Sequence, residues 1–298
     1  MESFSRGWSF LKQAWQMAVK DRDLIKPSIF ALFAGLIVSV IFVPLIVGAS
    51  FLTGGESSTF GQFVMAVLGA IMIFIQYTVG YIFSAMTVYL IYGYLSEGDG
   101  RMDKAWAIVK RDLFDLMSLA AASTAVNLLK NAVKGKGKST GRNFLAGLID
   151  TVWTEAAFLI LPAMVIEDIN LKDGLKRAGN IIKNNLLLVG ISTVGVKAVN
   201  GLIGFLVSFT GIGLGLVIGY GIVSLTGVDN TFGLVTGIGL GVIVAGIFIM
   251  VATVITSYTA TSYHTCLYLW ARDVEKAQAS GEAGLVSAPA PLAAVLGK

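Results

Sequence analysis

The sequence predicts an all-α polytopic membrane protein. It has about six transmembrane helices, interfacial amphipathic elbow helices between them, and a possible threefold internal repeat. Three observations predict this. The 298 residues are 55% hydrophobic and only 13% charged, with a mean hydropathy of +0.78, whereas soluble domains carry about 25% charged residues. Apolar runs long enough to cross a bilayer, about 20 residues each, recur along the chain. Short amphipathic segments precede pairs of those runs. The composition excludes a soluble globular enzyme, and it excludes disorder, which needs low hydrophobicity and high charge.

Taken in order, residues 27–51 form the first run, opened by Pro27 and containing Pro44. Residues 63–95 form the second. Residues 113–129 form a weak third of about 17 residues, at the lower limit for a span. Residues 144–166 form the fourth, with Pro162 near its end. The stretch Leu186–Trp270 is interrupted only around Thr226–Thr231, where Asp229 and Asn230 sit, and reads as two long helices, 186–225 and 232–270. Thr210–Gly211 is a point where the first of these could bend. The first long apolar run begins after Lys26, with no short apolar core before it, so it reads as a retained anchor rather than a cleaved signal.

Three amphipathic segments read as elbows. Their predicted stripes are Phe4, Trp8, Leu11, Trp15 and Ala18; Met102, Ala105, Trp106 and Val109; and Leu171, Leu175, Ala178 and Ile182 with Asn170 as N-cap. Helices of this kind lie at the interface with indoles at headgroup level. Trp8, Trp15, Trp106 and Arg177 are therefore the expected membrane-interface residues. The second and third segments align without gaps, Lys104–Leu113 on Arg177–Leu186, and a looser copy runs through Ala14-Trp15, Val19-Lys20 and Asp23-Leu24. Each copy leads into a hydrophobic pair ending at acidic residues: Glu97 and Asp99, Glu167 and Asp168, Asp273 and Glu275. This organises residues 1–276 as one transmembrane domain of three units, 1–95, 96–166 and 167–276. Convergence of interfacial helices on Lys, Ala and Ile is the alternative to a true repeat. The tail 277–298, rich in Ala, Gly, Ser and Pro, reads as a flexible or loosely docked extension.

With six spans and both termini cytoplasmic, sixteen Lys and Arg fall inside, and five fall in the 130–143 loop outside. That loop breaks the positive-inside rule beside the weakest span, so whether 113–129 crosses stays open. The net charge of +4 suits anionic headgroups and gives no nucleic-acid patch. Cys266 is the only cysteine, which excludes an intrachain disulfide.

Several short motifs occur in a fixed order. They are Ser5-Arg6-Gly7-Trp8 with Asp23-Leu24 and Pro27; Glu97-Gly98-Asp99-Gly100 before the Ala-Trp helix; Trp153-Thr154, Leu161-Pro162 and Val165-Ile166-Glu167; Leu175-Lys176-Arg177-Ala178; and Tyr263 with Leu267-Tyr268. In these the chain resembles, up to about residue 275, a family of uncharacterised prokaryotic integral membrane proteins defined as a domain of unknown function. The resemblance implies six helices and a bacterial or archaeal plasma membrane. It implies no activity and no catalytic residues. The glycine-rich stretch departs from the family pattern.

Ionisable groups inside spans are costly and often functional. Glu155 and Lys197 fall at matching depths, so an intramembrane charge pair is expected, with Asp150 about a turn outward. Gly211, Gly215 and Gly219 recur every four residues, as do Gly233, Gly237 and Gly241. Such small residues clear a helix face for close backbone approach, either within one hairpin or between subunits. Gly137-Lys138-Ser139 ends like a phosphate loop, but Ala132 stands where the upstream glycine would be and no strand precedes it. Glu97-Gly-Asp-Gly lacks the spacing of a calcium loop. His264, the only histidine, reads as a buried hydrogen-bonded residue. No catalytic constellation, cofactor motif or metal-ligand set is expected.

The sequence thus points to a non-enzymatic membrane protein. The leading reading is a structural or accessory subunit of a larger or homo-oligomeric assembly, packed through the glycine stripes, with lipids and other membrane subunits or itself as partners. The alternative is a small-solute or ion transporter or channel using the Glu155–Lys197 pair.

Overall fold

A computed structural model describes residues 2–134, 140–184, 186–227, 230–280 and 286–296. Ten α-helices occur among them, with no strand. The order is a short helix followed by two long ones, three times over. The first set is α1 (Glu2–Lys20), α2 (Lys26–Thr53) and α3 (Thr59–Glu97). The second is α4 (Met102–Arg111), α5 (Leu113–Lys134) and α6 (Thr140–Glu167). The third is α7 (Leu171–Asn184), α8 (Leu186–Thr226) and α9 (Thr231–Ala279), after which α10 (Ala290–Leu296) follows. Among the described residues six helices are long and apolar enough to span a membrane, including Leu113–Lys134, the weak candidate of the sequence. The chain is a multi-pass, all-α membrane protein. α8 is continuous through Thr210–Gly211. The tail carries α10, whose Leu292 is fully buried. Gly137-Lys138-Ser139 and Asp229 lie outside the described residues.

Helix ends follow local chemistry. Pro27 sits in the first turn of α2, where its missing N–H costs nothing. α2 stops at Gly54 and α3 at Gly98, both left-handed (φ 79° and 81°), a conformation glycine adopts without strain. Ser58 caps α3 by accepting from the Gly61 N–H at 3.3 Å. Asn170 caps α7 as expected, its Oδ1 accepting from the Asp173 N–H at 3.0 Å.

The chain forms two compact units. One comprises residues 17–186 and 264–289. There α3 packs against α2, α5 and α6, and α7 against α6. The Gln76 amide of α3 donates to Gly35 O and Ser39 Oγ of α2, both at 3.0 Å, which satisfies its N–H groups within the helix pair. The other unit comprises residues 1–16, 187–263 and 290–298. In it Phe10 meets Tyr263 edge-on at 5.4 Å, and the Tyr258 hydroxyl donates to Ala14 O at 2.9 Å.

Each elbow helix buries one face that mixes small and apolar residues and leaves large apolar ones on the other. In α1 the buried face is Gly7, Phe10, Ala14 and Met17, while Phe4 and Trp8 are exposed. The predicted stripe is thus rotated by about one position. On this face Gly7, where an added Cβ would stand 2.8 Å from the Gly195 carbonyl carbon, adds a close backbone approach to the packing of Phe10 and Met17. In α4, Ala105 and Val109 are buried and Trp106 is exposed; in α7, Gly174, Ala178 and Ile181 are buried and Leu175 is exposed.

Candidate functional site

Glu155 faces its unit's interior from α6. His264, on the last turns of α9, lies 3% exposed with Nε2 3.2 Å from Glu155 Oε2. Phe158, one turn beyond Glu155, stacks on the imidazole at 4.3 Å between centroids, with planes 8° apart. The ring is therefore clamped between an aromatic face and a carboxylate on one helix. Lys197 belongs to the other unit, on α8, and is exposed. Asp150 is engaged by Lys130 of α5, 2.8 Å away. The α5–α6 hairpin supplies this partner, which the one-turn offset from Glu155 does not indicate.

Next to this pair, α3, α5 and α6 enclose a cleft of about 220 Å³. The rings of Tyr77 and Tyr81, on successive turns of α3, are near-parallel with centroids 6.0 Å apart. Ser123 of α5 lies 2.7 Å from the Tyr81 hydroxyl and accepts from Trp153 Nε1 at 2.9 Å. Asn127, one turn along α5, donates to the Tyr77 hydroxyl at 3.4 Å. Ser123 is 1% exposed, so its hydrogen-bonding capacity is met by protein or by whatever fills the cleft. These residues were not singled out from the sequence. Hydroxyls and one amide spread over three helices leave no periodic signal. The available hint was Ser123, Asn127 and Lys130 lying within three turns of the weakest span.

The glycine stripes face each other within the α8–α9 hairpin. A Cβ on Gly219 would stand 3.0 Å from Gly237 O, one on Gly237 2.7 Å from Gly219 O, and one on Gly241 2.6 Å from Gly215 O. Gly211 receives the Phe248 side chain and Gly233 receives Thr226. All six predicted packing glycines thus have intramolecular neighbours. Along this contact runs an apolar groove of about 350 Å³, lined by Gly215, Gly219, Gly237 and Gly241 together with larger residues such as Leu216 and Val242.

Of the predicted interface residues, Trp8 and Trp106 are exposed. Trp15 is half-buried and donates to Thr259 Oγ1 at 3.3 Å, with its ring against Tyr258. Arg177, on α7, has carboxylate partners. It bridges Glu167, at 3.3 Å, and Glu275, which joins the end of α6, α7 and the end of α9. Burial works against its charge, but the hydrogen bonds with Glu275 and Tyr268 and the field of Glu167 together raise the guanidinium pKa. Nearby, Arg111 contacts both Asp112 and Asp168, and Arg272 lies 5.8 Å over the Tyr92 ring. Acidic residues read from the sequence as the ends of hydrophobic pairs therefore serve as anchors for basic elbow residues.

Among the described residues no group of His, Cys, Asp and Glu is arranged to hold a metal ion. No family model matches the chain, and no curated protein matches it.

Proposed function

We propose that the chain is a non-enzymatic structural or accessory subunit of a larger or homo-oligomeric membrane assembly. The supporting observation is the α8–α9 hairpin. Its glycines bring the two backbones together, and the groove this leaves is flanked by large apolar side chains: Leu216 is 68% exposed and Val242 66%. Hydrophobicity alone does not hold helices together in lipid, because acyl chains are as apolar as leucine. Shape does, and a groove lined by glycines admits the ridge of another helix more closely than it admits mobile lipid. The resemblance to a prokaryotic six-helix family supports a plasma-membrane location. The excess of Lys and Arg on the elbow side supports cytoplasmic termini, with those basic residues against anionic headgroups.

The test is the mass and composition of the intact particle extracted gently from native membranes. The proposal expects a stoichiometric second protein or more than one copy of the chain. A single chain carrying only lipid overturns it. The alternative, a transporter or channel built on Glu155 and Lys197, then becomes the reading to pursue by flux measurements on variants of those two residues.

A further inference from the structure

We propose that the cleft between α3, α5 and α6 is a binding site for a small uncharged polyhydroxylated solute.

Depth comes first. Ser123 lies ten residues into α5 and Asn127 fourteen, so at 1.5 Å per residue this part of the lining sits roughly 15–20 Å along that helix. Polar side chains at that depth are expensive unless they meet partners or line a wet cavity. Here several converge on one cavity rather than pairing separately across helix contacts.

Charge comes second. Asp150 is the one charged residue lining the cleft, and Lys130 pairs with it at 2.8 Å. The lining is therefore close to neutral. An ionic ligand would lose its hydration without gaining an uncompensated counter-charge. An uncharged one meets no such cost.

Hydrogen-bond valence comes third. The Tyr77 hydroxyl accepts from Asn127 and keeps its own proton to donate. Asn127 Oδ1 already accepts from Asn131, which leaves its second N–H available. The Tyr81–Ser123 pair shares one hydrogen bond and takes the Trp153 N–H, so it retains one hydroxyl proton and spare lone pairs. The cleft thus offers both donors and acceptors, from α3 and α5. Adjacent hydroxyls on a ligand, each donor and acceptor at once, complement this pattern. The flat faces of Tyr77, Tyr81 and Trp153 suit the C–H face of such a molecule. The volume of about 220 Å³ equals the liquid volume of roughly seven waters, smaller than typical drug-sized sites.

The experiment uses the full chain in nanodiscs, titrated separately with glycerol, myo-inositol, glucose, tetraethylammonium and acetate. Binding is read by calorimetry and by the shift in unfolding temperature. Two variants accompany it. Tyr77→Phe removes one donor. Gly80→Leu fills the cleft from α3, at a position where an added Cβ meets nothing within 4 Å, so the helix itself is not strained. The expected result is saturable binding of at least one polyol, weakened about tenfold by Tyr77→Phe and abolished by Gly80→Leu. Both variants should unfold at or near the parent temperature without ligand. Tetraethylammonium binding in place of polyols would overturn the proposal in favour of a cation–aromatic site. Absence of binding by every probe, or polyol binding indifferent to Gly80→Leu, would overturn it as well.

Discussion

Gly215 and Gly241 meet backbone to backbone across the α8–α9 hairpin, each standing where the other's carbonyl oxygen excludes a side chain. The α8–α9 hairpin has mostly exposed apolar surface through its middle. The glycine contacts, and not a conventional core, set its helix separation.

Gly241→Val should therefore force the helices apart and destabilise the hairpin by about 1–3 kcal/mol or more, the usual range for overpacking. Gly239, two residues earlier, meets nothing within 4 Å. Gly239→Ala should be neutral or slightly stabilising, because alanine favours helix over glycine by about 1 kcal/mol. Thermal unfolding of both variants in the same detergent checks the contrast. Equal effects would remove the packing argument.

Arg177 joins α7 to the ends of α6 and α9 with a side chain 22% exposed. Arg177→Met leaves Glu167 and Glu275 close together without their cation. The expected cost is about 1–3 kcal/mol, below that of a fully buried pair because solvent reaches part of the site. Hydrogen exchange should report it locally, with protection lost across Leu171–Asn184 and retained in α2. Adding Glu275→Gln should recover part of the loss by relieving the repulsion.

His264→Ala should remove both the Phe158 stack and a partner of Glu155. A cost of about 2–4 kcal/mol follows from the lost aromatic packing and from the weakened satisfaction of a half-buried carboxylate. His264→Phe keeps the stack and should be closer to the parent. A melting series in nanodiscs separates the two contributions. No loss in either variant would show that the imidazole contributes nothing to the fold.

The expected topology puts the 130–143 segment outside, against the positive-inside rule. The engineered variant Lys134→Cys should react with an impermeant maleimide added to intact cells. Asp173→Cys in α7 should react only after the membrane is opened. The reverse pattern would invert the assignment.

Much of the architecture is legible because bilayer thickness forces long apolar runs, and glycine or proline marks where they stop. The α8–α9 pair could be read from two stripes of period four, since that spacing keeps small residues on one face. Tertiary partnerships could not. Glu155 and His264 are 109 residues apart, and neither carries a local cue to the other. Asp150 could not be matched to Lys130, which lies twenty residues earlier on the neighbouring helix. The buried face of α1 is offset by about one position from its apolar stripe, and Gly7 on that face contributes no hydrophobicity to a periodicity count although it closely approaches Gly195. The cleft hydroxyls were invisible for a similar reason: each alone resembles a serine or tyrosine accommodated in a span.

The account stands or falls on what occupies the groove beside Val242. A photo-crosslinking amino acid at that position, activated in native membranes, tests it most directly. The account predicts one discrete protein adduct, of this chain or of a single partner, that is absent when the same group replaces Val152 on α6, which is equally exposed at 66%. Labelling of lipid alone at both positions would contradict it.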